Sequence, residues 1–226
     1  MEQLRREYRG QLSELEDRLL EMGSRVLDMV SAAMSALEER DTERAAAVIR
    51  ADDRLDRLYA MLQSEVFTTM ALQAPVASEL RLLGALLHAN IHLERMGDLC
   101  VNIAKFVQLI GDLPADAQLM AQLQEMGQHA RRVIARSLEA FAHRDVDTAM
   151  QLPELDDPLD RLNKGLFRRL VKLAAADETR LDWAMRMVLV ARYLERLGDH
   201  AVDIGEQVVF AVTGETVELA SNSPPG

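Results

Sequence analysis

The chain contains itself twice. Glu21-Met22-Gly23 returns as Glu125-Met126-Gly127, Arg40-Asp41 as Arg144-Asp145, Asp52-Asp53 as Asp156-Asp157, and Leu55-Asp56-Arg57-Leu58 as Leu159-Asp160-Arg161-Leu162, all at an offset of 104 residues. The offset then falls to 101, where Leu93-Glu94-Arg95-Met96-Gly97-Asp98 matches Leu194-Glu195-Arg196-Leu197-Gly198-Asp199, with Val101 on Val202 and Ile103 on Ile204. Self-similarity at a long fixed period marks one supersecondary unit built more than once, each copy burying the apolar face of the next. The expected organisation is two units, 1–112 and 113–214, the second three residues shorter between its second and third helices.

The unit is helical. Leu12, Leu15, Leu19, Met22, Val26, Met29, Val30, Ala33 and Leu37 recur at three- and four-residue steps, which places one apolar stripe along a helix. Aromatics make up only 4% of the 226 residues, and Ala, Leu, Glu, Arg and Met, all good helix formers, dominate. Punctuation divides the chain into six helices, at about 3–39, 41–72, 75–110, 115–143, 145–175 and 178–212. Asp41 is placed to cap the second, Gln73-Ala74-Pro75 ends it, and Gly111-Asp112-Leu113-Pro114 supplies a C-terminal glycine and a stopping proline after the third. Helices of about 33 residues are near 50 Å long. The pattern predicts an all-α fold of two tandem three-helix bundles related by a pseudo-twofold axis, followed by a disordered tail over 215–226.

Charge narrows the function. Lys plus Arg number 26 against 37 Asp plus Glu, a net charge of −11. Sequence-independent nucleic-acid binding and adhesion to anionic lipid both rely on basic residues, so cations and basic protein surfaces are the expected partners. The lone Cys100 cannot form an intrachain disulfide, and MEQLRREYRG is charged where a secretory signal needs an apolar core. The expectation is a cytoplasmic protein without membrane insertion. Its most apolar stretch, 185–190, contains Arg186, is flanked by Arg180, Asp182 and Arg192, and falls short of a membrane span.

What repeats most strongly is acidic. Glu94 and Asp98 are four apart and share one side of the third helix, with Asn102 a turn further on; Glu195, Asp199 and Asp203 repeat the line in the sixth. The second and fifth helices each add a D-D-x-x-D group, Asp52, Asp53 and Asp56 in one and Asp156, Asp157 and Asp160 in the other. Like charges at i,i+4 cost a helix about 0.2–0.5 kcal/mol. Two readings account for them: carboxylates from neighbouring helices caging a hard or borderline cation, or solvated faces with Arg95 pairing Asp98 and Arg196 pairing Asp199.

The remaining reactive residues read as structural, or in the case of His88 and His92 as structural or surface residues. Gly97 and Gly198 sit inside long helices, where glycine costs about 1 kcal/mol, and mark a close helix approach. His88 and His92 are i,i+4 but lack the glutamate of a zinc-protease H-E-x-x-H, and the sixth helix has Leu189 and Tyr193 in their place. Cys100 reads as a packed thiol on an apolar stripe.

Leu93-Glu94-Arg95-Met96-Gly97-Asp98-Leu99-Cys100-Val101-Asn102-Ile103-Ala104 and its copy at 194–205 resemble the paired signature of the PhoU family, an E-x-x-x-D motif in each of two three-helix repeats. Gln73-Ala74-Pro75-Val76-Ala77-Ser78-Glu79-Leu80-Arg81 is similar to that family's entry into its third helix. The resemblance covers about 8–214. It implies a negative regulator of phosphate uptake and of the phosphate-starvation (Pho) response, an adaptor between the ATPase of the phosphate ABC transporter (PstB-like) and a sensor histidine kinase (PhoR-like). It also implies a homodimer, and metal ions or multinuclear iron clusters (Fe, Mn, Mg or Zn) held by Glu94 with Asp98 and Glu195 with Asp199, joined by the aspartates of the second and fifth helices. The chain departs from the family in having Asp203 where Asn is usual and Glu79 where Asp is commoner. Pro153 and Pro158 threaten to kink the fifth helix beside its acids.

Two functions therefore compete: a non-enzymatic signalling adaptor and a metal-dependent carboxylate-bundle enzyme. A di-iron oxidase needs Glu-x-x-His pairs, and the third and sixth helices have none. A purely structural scaffold would explain the bundle but not the repeated acids.

Overall fold

A computed structural model describes residues 2–219, with side chains from residue 6 onward. The helices are α1 (Glu2–Glu39), α2 (Thr42–Gln73), α3 (Ala77–Ile110), α4 (Ala117–His143), α5 (Val146–Met150), α6 (Leu152–Ala176) and α7 (Leu181–Thr213), with a 3₁₀ turn at Glu178–Arg180. No strand occurs among the described residues. Helices α1–α3 form the first three-helix bundle and α4–α7 the second, with one continuous hydrophobic core running through both.

The repeated Arg-Asp pair builds the same corner twice. Arg40 and Arg144 turn the chain in the left-handed region, at φ 54° and 52°. The following aspartate caps the next helix: Asp41 accepts from the Arg44 amide at 2.9 Å and Asp145 from the Thr148 amide at 3.1 Å. Asp116 and Asp177 cap α4 and the 3₁₀ turn in the same way. Each corner arginine also ties its corner to a distant stretch of chain, Arg40 to the end of its own bundle and Arg144 to the other bundle. Arg40 donates to the Gly111 and Leu113 carbonyls at 2.6 Å each, and Arg144 pairs with Glu16 of α1 at 2.7 Å.

The expected fifth helix is broken in two at Gln151. Pro153 lacks the N–H that a continuous helix would bond to the Ala149 carbonyl, so it fits a helix's first turn, where that donor is unpaired in any case; α6 starts at Leu152 and α5 is cut to five residues. Pro158 remains inside α6. The expected disorder beyond Gly214 does not begin at once: Val217 and Leu219 pack on the core, and the Leu219 amide donates to Glu206 Oε1 at 2.8 Å. The rest of the expected tail, 220–226, lies outside the described residues.

The bundles meet along α3 with α7 and α1 with α4. Gly84 faces Phe210 and Phe106 stacks on Tyr193, so α3 and α7 are antiparallel. The α1–α4 contact obeys the same symmetry. A Cβ on Gly23 would meet Leu138, and one on Gly127 would meet Met34, and the four positions exchange under the 104-residue repeat.

Candidate functional site

In the first bundle α2 and α3 run antiparallel, with Leu55 opposite Gly97 and the Tyr59 carbonyl accepting from the buried Asn90 side chain at 3.0 Å. Gly97 is what lets them close. A Cβ there would overlap Leu55 and come within 3.0 Å of Asp52 Oδ1. That approach gathers Asp52 and Asp56 of α2 with Glu94 and Asp98 of α3, and burial together with the charges of Asp56, Asp98 and Glu94 pushes Asp52 up to about 6. Asp53, exposed, adds its charge from the rim. Arg95 covers the cluster from outside, 3.2 Å from Asp98 and 3.5 Å from Glu94.

The second bundle repeats the arrangement more tightly. Asp156 is buried, and a Cβ on Gly198 would overlap its Oδ1. Carboxylate oxygens of Asp156, Asp160 and Asp199 all lie within 4.8 Å of one another, a convergence that the first bundle lacks among the described residues. Burial, reinforced by Asp160, Asp199 and Glu195, pushes Asp156 up to about 8; Glu195 is pushed up to about 7, and Asp199 and Glu94 are raised, all chiefly by burial. The two prolines therefore do not scatter the second site. Pro153 starts the helix that carries Asp156 and lines a cavity of about 460 Å³ beside it.

Of the other side chains, Asn102, His88 and Cys100 fall where the sequence placed them, and the pairing of Glu195 and of His92 does not. Asp157 is half-buried, with Arg161 at 3.9 Å. Asn102 is half-buried a turn beyond Asp98 and makes no hydrogen bond to the acids. Glu195 is bonded by Arg192, whereas the expected pair was Arg196 with Asp199. His88 is exposed and does not chelate with His92, which turns instead toward His200. Cys100 is fully buried, and burial raises its thiol far out of reach of a nucleophile's role. Two acids of the cavity, Glu206 and Glu218, were not visible as site residues: Glu206 lies beyond the repeated motif, and Glu218 arrives on the returning tail.

The donor set fits a cation. It consists of carboxylates from facing helices, and two of their oxygens, Asp156 Oδ1 and Glu195 Oε2, are buried without a hydrogen-bond partner. An unpaired buried polar atom costs about 1–3 kcal/mol. Oxygen-only ligation suits Mg, Mn or Fe.

A duplicated three-helix bundle with one E-x-x-x-D stripe per copy, each stripe facing aspartates of a neighbouring helix, defines a class of all-helical carboxylate-site proteins. The chain belongs to the PhoU family: the PhoU domain model matches residues 19–107 and 123–208, once in each bundle. A phosphate-specific transport system accessory protein PhoU homolog of Clostridium acetobutylicum is 31% identical over 95% of this chain and 98% of its own length. A protein of the same description from Caulobacter vibrioides is 30% identical over 96% and 94%. The crystal structure of PhoU from Pseudomonas aeruginosa superimposes with a TM-score of 0.86 at 29% identity, covering 92% of this chain and 100% of that one. The phosphate transport system regulatory protein PhoU from Streptococcus pneumoniae gives the same TM-score at 27% identity. These relatives are named as accessory or regulatory proteins rather than enzymes. No described helix is long and apolar enough to cross a membrane.

Proposed function

We propose that this chain is a cytoplasmic accessory protein of a phosphate-specific transport system, and that it restrains phosphate uptake and the phosphate-starvation response when phosphate is plentiful. The observation that carries this reading is end-to-end similarity to proteins bearing that description, 98% of the first relative's length being matched. It acts by binding rather than by turnover. Its targets are the ATPase of the phosphate ABC transporter and the sensor histidine kinase, and a bundle of charge −11 favours contact through whatever basic patches they present.

The acidic clusters serve this role as cation sites. Glu94, Asp98, Asp52 and Asp56 would hold one ion or small cluster, and Glu195, Asp199, Asp156 and Asp160 another. Such an ion supplies positive charge that allows the buried carboxylates to be ionised together. Asp156 and Glu195 contribute the oxygens that lack any other partner.

Deleting the gene switches on phosphate-starvation genes in phosphate-rich medium, and pull-downs with the purified protein recover the ATPase or the kinase. Recovery falls as salt rises, because exposed charges are screened within about 8 Å at physiological ionic strength. Starvation genes that stay repressed, with neither partner recovered, would sink the assignment.

A further inference from the structure

Where α3 crosses α7, two imidazoles meet a carboxylate at the edge of the second acidic cluster, Asp203 being the last acid of the Glu195, Asp199 and Asp203 line. His92 Nδ1 and His200 Nδ1 are 3.2 Å apart, and each lies 3.3 Å from Asp203 Oδ2. Hydrogen bonds to a carboxylate satisfy only two of these three contacts at once. With both nitrogens protonated the rings oppose donor to donor, and with one bare that nitrogen opposes the carboxylate oxygen acceptor to acceptor.

A metal ion satisfies all three. Zinc binds imidazole nitrogen and carboxylate oxygen at about 2.0–2.2 Å in a tetrahedron, whose edges are 1.63 times the bond, or about 3.3–3.6 Å. The observed triangle, with edges of 3.2, 3.3 and 3.3 Å, lies at the short end of that range before any ion is placed. We propose that His92, His200 and Asp203 form a site for a borderline transition metal such as zinc, with water as fourth ligand, bridging the two bundles.

The surroundings agree. The side chains are 20%, 18% and 38% exposed, so the triangle is recessed with one side open. Nitrogen ligands separate this site from the oxygen-only clusters and disfavour Mg and Ca. The equivalent positions of the repeat are Tyr193, Leu99 and Asn102, so the site is built once and is not a by-product of the duplicated motif. Because its ligands come from both bundles, occupancy clamps α3 to α7 and stabilises the folded chain by linkage.

Titration of the metal-free full chain with Co²⁺ alone tests the proposal. One equivalent binds with the intense visible bands of tetrahedral cobalt, and Zn²⁺ displaces it. His92→Gln and His200→Gln each weaken Zn²⁺ binding at this site by about 100-fold or more. His88→Gln and His143→Gln, at exposed positions outside every acidic cluster, leave it unchanged. In the wild-type chain, ring-nitrogen NMR shows Zn²⁺ shifting Nδ1 of two histidines, a readout that stands even if the glutamine variants misfold. Absence of tetrahedral bands, loss of binding in His88→Gln or His143→Gln in place of His92→Gln and His200→Gln, or unmoved ring nitrogens would each overturn it.

Discussion

Asp156 occupies the space that a side chain at residue 198 would need: its Oδ1 overlaps the position of a Cβ on Gly198 and has no hydrogen-bond partner of its own. Asp52 stands in the same relation to Gly97, at a looser 3.0 Å. Each glycine thus does more than bring two helices together. It allows an aspartate to press against the backbone between the acids of the E-x-x-x-D motif.

Replacing Gly198 by Ala therefore strikes at packing and at the acidic cluster together. The variant loses about 1–3 kcal/mol of stability, the usual cost of overfilling a packed site. Gly165→Ala, in the same bundle with nothing within 4 Å of its would-be Cβ, gains about 1 kcal/mol from helix propensity. Chemical denaturation of the two variants checks the contrast, and equal effects would contradict it.

Stability of the metal-free protein depends on pH in a direction set by the clusters. Asp156, Glu195 and Asp52 titrate at about 8, 7 and 6 in the fold, all above the ordinary carboxylate range near 4. A carboxyl with a raised folded pKa contributes most below its unfolded pKa, and the contribution is lost as pH rises through the folded value. The metal-free chain therefore unfolds at lower denaturant near pH 8.5 than near pH 5. Asp156→Asn flattens that slope, and a midpoint that rose with pH would refute the assignment.

Metal content divides unequally between the bundles. Asp156→Asn with Asp199→Asn removes more bound metal, by elemental analysis, than Glu94→Ala with Asp98→Ala, because three carboxylates converge only in the second bundle among the described residues. Neither pair unfolds the protein, since each relieves repulsion between like charges. Unchanged content in both would contradict cation binding by the two acidic clusters.

What could be read in the sequence was whatever local chemistry decides. Asp41 and Asp145 cap helices because their side chains reach an amide three residues away, and Glu94 with Asp98 share a face because a helix turns every 3.6 residues. The break at Gln151 was half legible. Pro153 was in view but read as a kink, whereas a proline is better accommodated in a helix's first turn than in its interior. The tighter second cluster and the partnership of His92 with His200 depend on how α6 and α3 register against α7, which no spacing along one helix encodes. Glu218 joined the cavity through the tail's return, fixed by the bond from the Leu219 amide to Glu206.

The paired contacts Gly23 with Leu138 and Gly127 with Met34 make the surface between the bundles isologous: the same patch meets itself, as in a twofold dimer. The molecule has the geometry of a homodimer whose subunits have been fused into one chain. In a true homodimer any substitution appears on both sides of the axis. Fusion frees the halves to differ, and they do so beside the motif, with Arg192 for Ile91, His200 for Leu99 and Asp203 for Asn102. One scaffold thereby carries two non-equivalent acidic sites, and a mixed nitrogen–oxygen corner that strict symmetry would have had to build twice or not at all.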